Sequence, residues 1–153
     1  REKIKLNEWS VGQKKKAFMS FAIATGTRYL LMDEPTNGLD IPSKAQFRRV
    51  ISRNMTDERT IIISTHQVHD VEAVLDHVVI MSENGILLNK STEDICCEYV
   101  FEERTVDDMA DALYAEPSPR GNIVMAKRGT RPETQINLEV LFNAVTSIKE
   151  GVR

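Results

Sequence analysis

The stretch that decides the fold is YLLMDEPTNGLD, residues 29–40. Four mostly apolar residues lead directly into two adjacent carboxylates, Asp33 and Glu34, which are followed by a proline and an Asn-Gly pair. The short apolar run predicts a strand that is buried on both faces, as is typical of parallel sheets. In a purely structural interpretation, the two acids belong to a turn at the end of the strand and cap the helix that follows. Their mutual repulsion at the end of a strand favours a functional site instead.

The segments around this stretch alternate between helix and strand. Apolar periodicity predicts a helix over 10–26, a strand over 29–33, a helix over 43–54, a strand over 60–66, a helix over 67–76 and a hairpin over 78–90. The order strand, helix, strand, helix is that of a parallel sheet with crossover helices. We therefore expect an α/β fold for this part of the chain.

Local signals sharpen three of these elements. Ser10 and Gln13 form an S-x-x-Q capping box at the start of the first helix, and Gly26 provides its C-cap. The spacing of Phe18, Phe21, Ala22 and Thr25 predicts the apolar face of that helix. In the hairpin, Asn84-Gly85 predicts a type I′ turn.

The pattern changes after residue 90. The remaining sequence predicts a short capped helix and a strand, then two strands around a Pro/Gly turn, a polar linker over 128–135 and an amphipathic helix. Asn137 caps this last helix, which ends near Gly151. We therefore expect a small α+β accessory region over residues 91–153.

Bulk composition excludes several classes of function. The chain has 153 residues, a net charge of −3 and 41% hydrophobic residues, which is ordinary for a globular protein and gives no general attraction to nucleic acid or anionic membranes. No apolar run approaches the ~20 residues of a membrane helix. Cys96 and Cys97 are adjacent and suit neither a structural disulfide nor metal spacing, which favours a reducing setting.

Parallel strands place three polar residues on one edge of the predicted sheet. Asp33 and Glu34 follow one strand, and His66 follows the next, so all three lie at the carboxyl ends of the strands, where open parallel sheets bind ligands. Asp33 suits Mg²⁺, Glu34 can act on a water, and His66 can donate to a phosphate oxygen. Together they indicate phosphoryl transfer to water. A metal site of His66, His69 and Asp70 is disfavoured, because no ligand from a third segment is evident.

Three motifs in order then resemble one protein family. YLLMDEPTNGLD resembles the Walker B and D-loop segment of an ATP-binding cassette (ABC) ATPase, WSVGQKKKAFMSFAIA (9–24) resembles its signature motif and helix, and STHQ (64–67) resembles its histidine switch. The resemblance implies that residues 1–90 are the C-terminal part of an ABC nucleotide-binding domain, within the parallel sheet of a P-loop NTPase. Residues 91–153 would form the accessory region.

The resemblance also implies a role for four residues near the strand ends. Asp33 would support Mg²⁺, and Glu34 would be the general base toward the attacking water. His66 would contact the γ-phosphate. Asp40, in the D-loop, would link two active sites across a dimer.

The signature segment would act on the nucleotide of a partner subunit. The resemblance implies that Ser10, Gly12 and Gln13 contact that nucleotide, and the free N–H groups and dipole of a helix N-terminus attract phosphate in any case. Val11 stands where the family usually has glycine and adds a Cβ close to the phosphate. Taken alone, Ser10 predicts only a helix cap. The run Lys14–Lys16 predicts a solvated helix face, with phosphate steering as the alternative.

No G-x-x-x-x-G-K-[ST] phosphate cradle occurs in the chain. We therefore expect a fragment of an ATP-hydrolysing transporter subunit that is inactive by itself. The intact protein would use ATP and Mg²⁺, pair with a second nucleotide-binding subunit and a transmembrane permease, bind no nucleic acid, and lie in the cytoplasm at the inner face of the plasma membrane. The alternatives are a soluble, non-transport ABC protein and a stand-alone regulatory or dimerisation module.

Overall fold

The structure, a computed structural model, describes residues 8–150, with the side chains of residues 8–147. The chain divides into two compact units, Arg1–Val74 and Leu75–Arg153. None of the helices within the described residues is both long enough and apolar enough to cross a membrane.

The first unit contains the predicted parallel pair of strands. Its elements, in order, are α1 (Val11–Ala24), β1 (Tyr29–Asp33), α2 (Ile41–Asn54), β2 (Thr60–Ser64) and two 3₁₀ helices (Val68–Asp70 and Glu72–Val74). The strands β1 and β2 pair in parallel, in a register that places Asp33 opposite Ser64. The predicted α/β class and the parallel arrangement are therefore confirmed.

The second unit is built from antiparallel strands and two helices. Its elements are β3 (His77–Ser82), β4 (Gly85–Ser91), α3 (Thr92–Glu98), β5 (Tyr99–Arg104), β6 (Ala112–Ser118), β7 (Gly121–Lys127) and α4 (Leu138–Glu150). The strands β3 and β4 form a hairpin, and the other three form a sheet in the order β5-β7-β6. Asn137 caps α4 as predicted, by accepting the N–H of Val140 at 3.0 Å. The predicted helix end at Gly151 lies outside the described residues.

The prediction that β1 and β2 are buried on both faces is wrong for the described chain. Leu30 is buried, whereas Tyr29 and Leu31 are 61% and 72% exposed, and Ile62 is 52% exposed. Burial thus alternates along both strands. An apolar run shows that both faces of a strand could be buried, but it does not show what covers them. In this two-stranded sheet one face is covered and the other is open to solvent.

The apolar face predicted for α1 is also wrong. Phe18 and Phe21 are 65% and 72% exposed, and Ile23 is the buried residue of this helix. The capping box of Ser10 and Gln13 is present as predicted. Phe18 and Phe21 lie on a different side of the helix from Ile23. A prediction based on the aromatic residues therefore selects the wrong face as the packed one.

Two local predictions are corrected by backbone geometry. The segment 67–76 forms two short 3₁₀ helices, Val68–Asp70 and Glu72–Val74, in place of the single helix predicted there. The hairpin turn is made by residues 83 and 84, and among the described non-glycine residues only Glu34 has a positive φ. Asn84 therefore does not form a type I′ turn, and Gly85 instead takes the positive φ at the start of β4.

A buried arginine organises one end of the sheet in the second unit. The guanidinium of Arg104 lies 2.5 Å from Asp111 Oδ1 and 2.6 Å from Glu102 Oε1. Arg131 also pairs with both carboxylates. Hydrogen bonds from Arg104 and then from Arg131 lower the pKa of Asp111 to about 2. Arg104 is therefore buried with its charge compensated, as a buried cation requires.

We predict that Gly121→Ala destabilises the chain strongly. Gly121 has φ +139°, and a Cβ there would lie 2.3 Å from the carbonyl oxygen of Arg104. We expect the unfolding free energy in urea to fall by at least about 2 kcal/mol, because backbone strain and a steric clash act together. The matched control is Gly129→Ala, where φ is +56° and no atom lies within 4 Å of the added Cβ. Equal losses in the two variants would contradict the predicted clash.

Candidate active site

The ends of β1 and β2 bring the predicted site residues together. The Oγ of Ser64 donates to Oδ1 of Asp33 across the pair at 2.5 Å. Both side chains lie on the exposed face of the two strands. This contact orients the Asp33 carboxylate toward solvent without burying it.

Glu34 lies one residue further along and is bound by the segment that follows β2. Its Oε1 accepts the backbone N–H of His66 at 2.9 Å and lies 2.7 Å from the ring Nδ1 of His66. Its Oε2 accepts the hydroxyl of Thr65 at 3.0 Å. The parallel register therefore places the two predicted catalytic side chains in direct contact.

The backbone of Glu34 adopts an unusual conformation. Its φ is +45°, in the left-handed region that side chains other than glycine seldom occupy. Its N–H still donates to the carbonyl of Ser64 at 2.8 Å, so it extends the hydrogen bonding between the strands. Such a conformation costs on the order of 1–3 kcal/mol, and it persists only where surrounding contacts fix it.

The protonation of Glu34 follows from its surroundings. Partial burial acts to raise its pKa, but hydrogen bonds from the side chain and backbone of His66 and from Thr65 outweigh burial and lower the pKa below 4.5. Glu34 is therefore a carboxylate at neutral pH. The His66 side chain is 71% exposed, so its ring is open to a ligand in solution.

The predicted signature residues lie in the first turn of α1. Ser10 Oγ accepts the N–H of Gln13 at 3.2 Å, and Gln13 Oε1 accepts the N–H of Ser10 at 2.9 Å. Gly12 lies within α1 and does not have a positive φ, and a Cβ on it would make only a normal contact, 3.9 Å from the carbonyl oxygen of Gly38. Packing among the described residues therefore does not require glycine at position 12.

Asp40 begins α2. Its Oδ1 accepts the N–H of Ser43 at 3.0 Å, as an N-cap does. Hydrogen bonding to Ser43 lowers the pKa of Asp40 below its usual value. The predicted D-loop residue is thus ionised and fixed at the start of a helix.

The side chain of Lys44, one turn into α2, holds the segment that follows His66. Its ammonium lies 2.7 Å from Asp70 Oδ2 and donates to Gln67 Oε1 at 3.2 Å. Arg48, one turn further, donates to the carbonyl of Asp70 at 3.3 Å. The helix that Asp40 caps therefore also anchors the chain just beyond His66.

Sequence reasoning missed Lys15, which it placed on a solvated face. The ammonium of Lys15 donates to the carbonyl oxygens of Glu34 at 2.5 Å and Asn37 at 2.8 Å. Helical periodicity does not single out Lys15, because an offset of eight residues places it about 80° around the helix from the buried Ile23, whereas Lys16 lies within about 20°. The sequence therefore carries no signal for this contact.

Asp33 is the candidate metal ligand at the strand ends. Among the side chains of residues 8–147, no three His, Cys, Asp or Glu residues are grouped so as to hold a metal ion. Asp33 is a hard oxygen ligand on an exposed strand end. It suits a Mg²⁺ ion that keeps several waters and takes its other ligands from phosphate oxygens, as Mg²⁺ commonly does.

Comparison of the sequence with characterised proteins identifies its homologues. No protein-family profile matches the chain. It is 38% identical over 77 residues to the glucosylceramide transporter ABCA12 of Homo sapiens, 33% identical over 86 residues to the cobalt import ATP-binding protein CbiO of Salmonella paratyphi A, and 31% identical over 88 residues to the manganese transport system ATP-binding protein MntA of Synechocystis. These alignments cover 50%, 56% and 58% of the chain.

The chain is therefore homologous to ATP-binding proteins of ABC transporters over at least half of its length, and the resemblance stated from the motifs is confirmed. The alignments cover 3% of the length of the transporter ABCA12, 32% of CbiO and 34% of MntA. The chain thus corresponds to only part of each relative.

A solved structure extends the likeness in fold. A crystal structure described as that of a cobalt transport ATP-binding protein matches 94% of this chain and 52% of its own chain, with a TM-score of 0.50 and 21% sequence identity. A match over 94% of 153 residues must include most of residues 91–153. The likeness in fold to that structure therefore extends past the three motifs.

We predict that Glu34 makes part of the chain's stability dependent on pH. Because its folded pKa is lower than 4.5, its stabilising contribution is complete above pH 4.5 and is lost as the pH falls through the folded pKa. Glu34→Gln should therefore weaken the loss of unfolding free energy between about pH 5 and pH 3, as measured by urea unfolding. Identical pH profiles for the wild type and the variant would show that the Glu34 contacts do not form.

Proposed function

We propose that this chain supplies the hydrolytic residues of an ABC-type ATPase that drives a transporter. The observation that carries the proposal is the direct contact between Glu34 and His66 at the ends of two parallel strands, with Asp33 beside them. Homology to transporter ATP-binding proteins supports the same function.

In this proposal each of the three residues has one role. Glu34 is the general base that accepts a proton from the attacking water, and it is already ionised. His66 donates a hydrogen bond to the γ-phosphate of ATP. Asp33 would hold Mg²⁺ through water, and the ion would neutralise charge on the phosphates.

The contact between Glu34 and His66 suggests how the base is tuned. In the structure, the His66 ring contributes to lowering the pKa of Glu34. If the ring turned to a phosphate, Glu34 would lose that hydrogen bond and its pKa would rise. A higher pKa makes a carboxylate a better proton acceptor. Binding of ATP at His66 would thereby activate the base.

The first turn of α1 is proposed to bind the nucleotide of a second subunit. Gly12 supports this role, because glycine is unfavourable in a helix and packing among the described residues does not call for it. Close approach of a phosphate would explain the missing Cβ. Ser10 and Gln13 lie in the same turn and would contact that nucleotide, and Asp40 would link the two sites.

The rest of the proposal concerns what the intact protein contains. Residues 1–90 would belong to the nucleotide-binding domain and residues 91–153 to an accessory region. The phosphate cradle, which is not encoded in these 153 residues, would come from another part of the protein. The intact subunit would bind ATP and Mg²⁺, pair with a second ATP-binding subunit, and act on a permease from the cytoplasmic face of the membrane.

We expect Glu34→Gln to reduce ATP turnover by the full-length subunit about 10²- to 10⁴-fold, because it removes the proton acceptor. Nucleotide affinity should persist, since a glutamine side chain has nearly the same shape as the glutamate that it replaces. The matched control is Glu58→Gln, which alters an exposed carboxylate of the same unit. Steady-state phosphate release and equilibrium ATP binding measure the two quantities.

Turnover by Glu34→Gln equal to that of the wild type would remove Glu34 from the role of base. Turnover that falls equally in Glu58→Gln would mean that the loss does not depend on this site. A full-length protein that neither binds nor hydrolyses ATP would favour the regulatory module instead.

The 153-residue chain alone should bind Mg-ATP hardly at all. It carries His66 and Asp33 but not the glycine-rich loop and lysine that supply most phosphate contacts in P-loop proteins. Isothermal titration calorimetry should therefore detect no binding in the micromolar range. Micromolar affinity would show that these residues form a complete nucleotide site without the cradle.

A further inference from the structure

We propose that Lys15 is a positioning residue that fixes Glu34 and connects it mechanically to the first turn of α1. This inference rests on the proposed function, because it assigns Lys15 a part in the action of the base. Lys15 does not touch Asp33 or His66 in any contact seen among the described residues, so its effect would pass through the backbone of Glu34.

The ammonium of Lys15 acts on the turn that carries the base. It donates to the carbonyls of Glu34 at 2.5 Å and Asn37 at 2.8 Å, which are the two ends of that turn. The N–H of Asn37 also donates to the carbonyl of Glu34, at 3.3 Å. One cation thus closes the turn by binding both carbonyls, and charge-assisted bonds of this kind are stronger than neutral ones.

This contact bears on the strained conformation of Glu34. The peptide plane that follows Glu34 is held by Lys15, while the carboxylate is held by His66 and Thr65. Without Lys15, the φ of +45° would lose one of the contacts that offset its cost. The backbone would then relax, and the carboxylate would move relative to the strand ends.

The same lysine connects the turn to the proposed signature residues. Lys15 follows the N-cap Ser10 by five residues in a continuous helix, which is about 7.5 Å along the axis. A helix moves as a rigid element over that distance. A shift of the first turn of α1 would therefore carry the ammonium, and with it the carbonyl of Glu34.

The chain offers a matched comparison for testing this. Lys15→Met removes the ammonium and keeps most of the apolar length, whereas Lys14→Met makes the same charge change one residue away on the same helix. Lys15→Arg retains a cation that can donate to two carbonyls. All three variants are made in the full-length subunit, and ATP hydrolysis and ATP binding are measured for each.

We expect Lys15→Met to lower kcat roughly 10- to 100-fold with little change in KM, since a small displacement of a catalytic group costs about this much. Lys15→Arg should recover a substantial part of the loss, and Lys14→Met should match the wild type. If kcat of Lys15→Met equals that of Lys14→Met, the inference is wrong. Wild-type activity in Glu34→Gln would instead overturn the proposed function itself.

A second measurement uses the unaltered chain and does not depend on activity or on a variant that folds. NMR of the wild-type 153-residue protein should show a slowly exchanging Lys15 ammonium with couplings through hydrogen bonds to the carbonyl carbons of Glu34 and Asn37. The Lys14 ammonium should exchange rapidly and show no such couplings. Rapid exchange at Lys15, as at Lys14, would contradict the contact on which the inference depends.

Discussion

Glu34 is held at both ends, and the geometry of the first unit depends on this double attachment. The carboxylate is bound by the backbone and ring of His66 and by Thr65, while the backbone carbonyl is bound by Lys15. These contacts come from two different elements of the unit. Together they sustain a left-handed backbone that a glutamate would not adopt alone. Glu34 is thus both the strained residue and the point at which polar contacts from these two elements meet.

The exposed face of the two strands gives the site its access to solvent. Asp33 and Ser64 share that face with Tyr29, Leu31 and Ile62, all of which are exposed. Strand alternation places Asp33 there, and the turn after β1 frees Glu34 from that alternation. The carboxylate of Glu34 can therefore reach across to the end of β2 while Asp33 remains available to an ion.

The sequence was sufficient for the arrangement of the site because its determinants are local or follow from strand direction. Two short apolar runs joined by a helical segment predict parallel strands, and parallel strands bring their carboxyl ends together. Capping residues such as Ser10 and Asn137 bind backbone groups within one helical turn, so the sequence alone is enough to predict their role. These predictions needed no knowledge of long-range packing.

Two failures, the 3₁₀ helices within 67–76 and the turn of the hairpin, are errors of local backbone geometry. The others concern what packs against an element. The exposure of Leu31 and Phe18 depends on which surfaces cover them, and apolar character alone does not reveal this. The carbonyls that bind Lys15 belong to residues 19 and 22 positions further along the chain. The sequence around a lysine does not show which distant carbonyl groups it will bind. The positive φ of Glu34 likewise reflects contacts with another strand, whereas local propensity would assign that conformation to glycine.

The central claim is that Glu34 is a carboxylate fixed by His66 at the strand ends, and NMR titration of its side-chain carboxyl carbon tests this most directly. The pKa in the wild-type 153-residue chain should lie below 4.5 and should rise in His66→Ala, because the ring contributes the first of the lowering contacts. His69→Ala, which removes a histidine three residues away, should leave the pKa of Glu34 unchanged. A pKa of 4.5 or above that is insensitive to His66 would contradict the account.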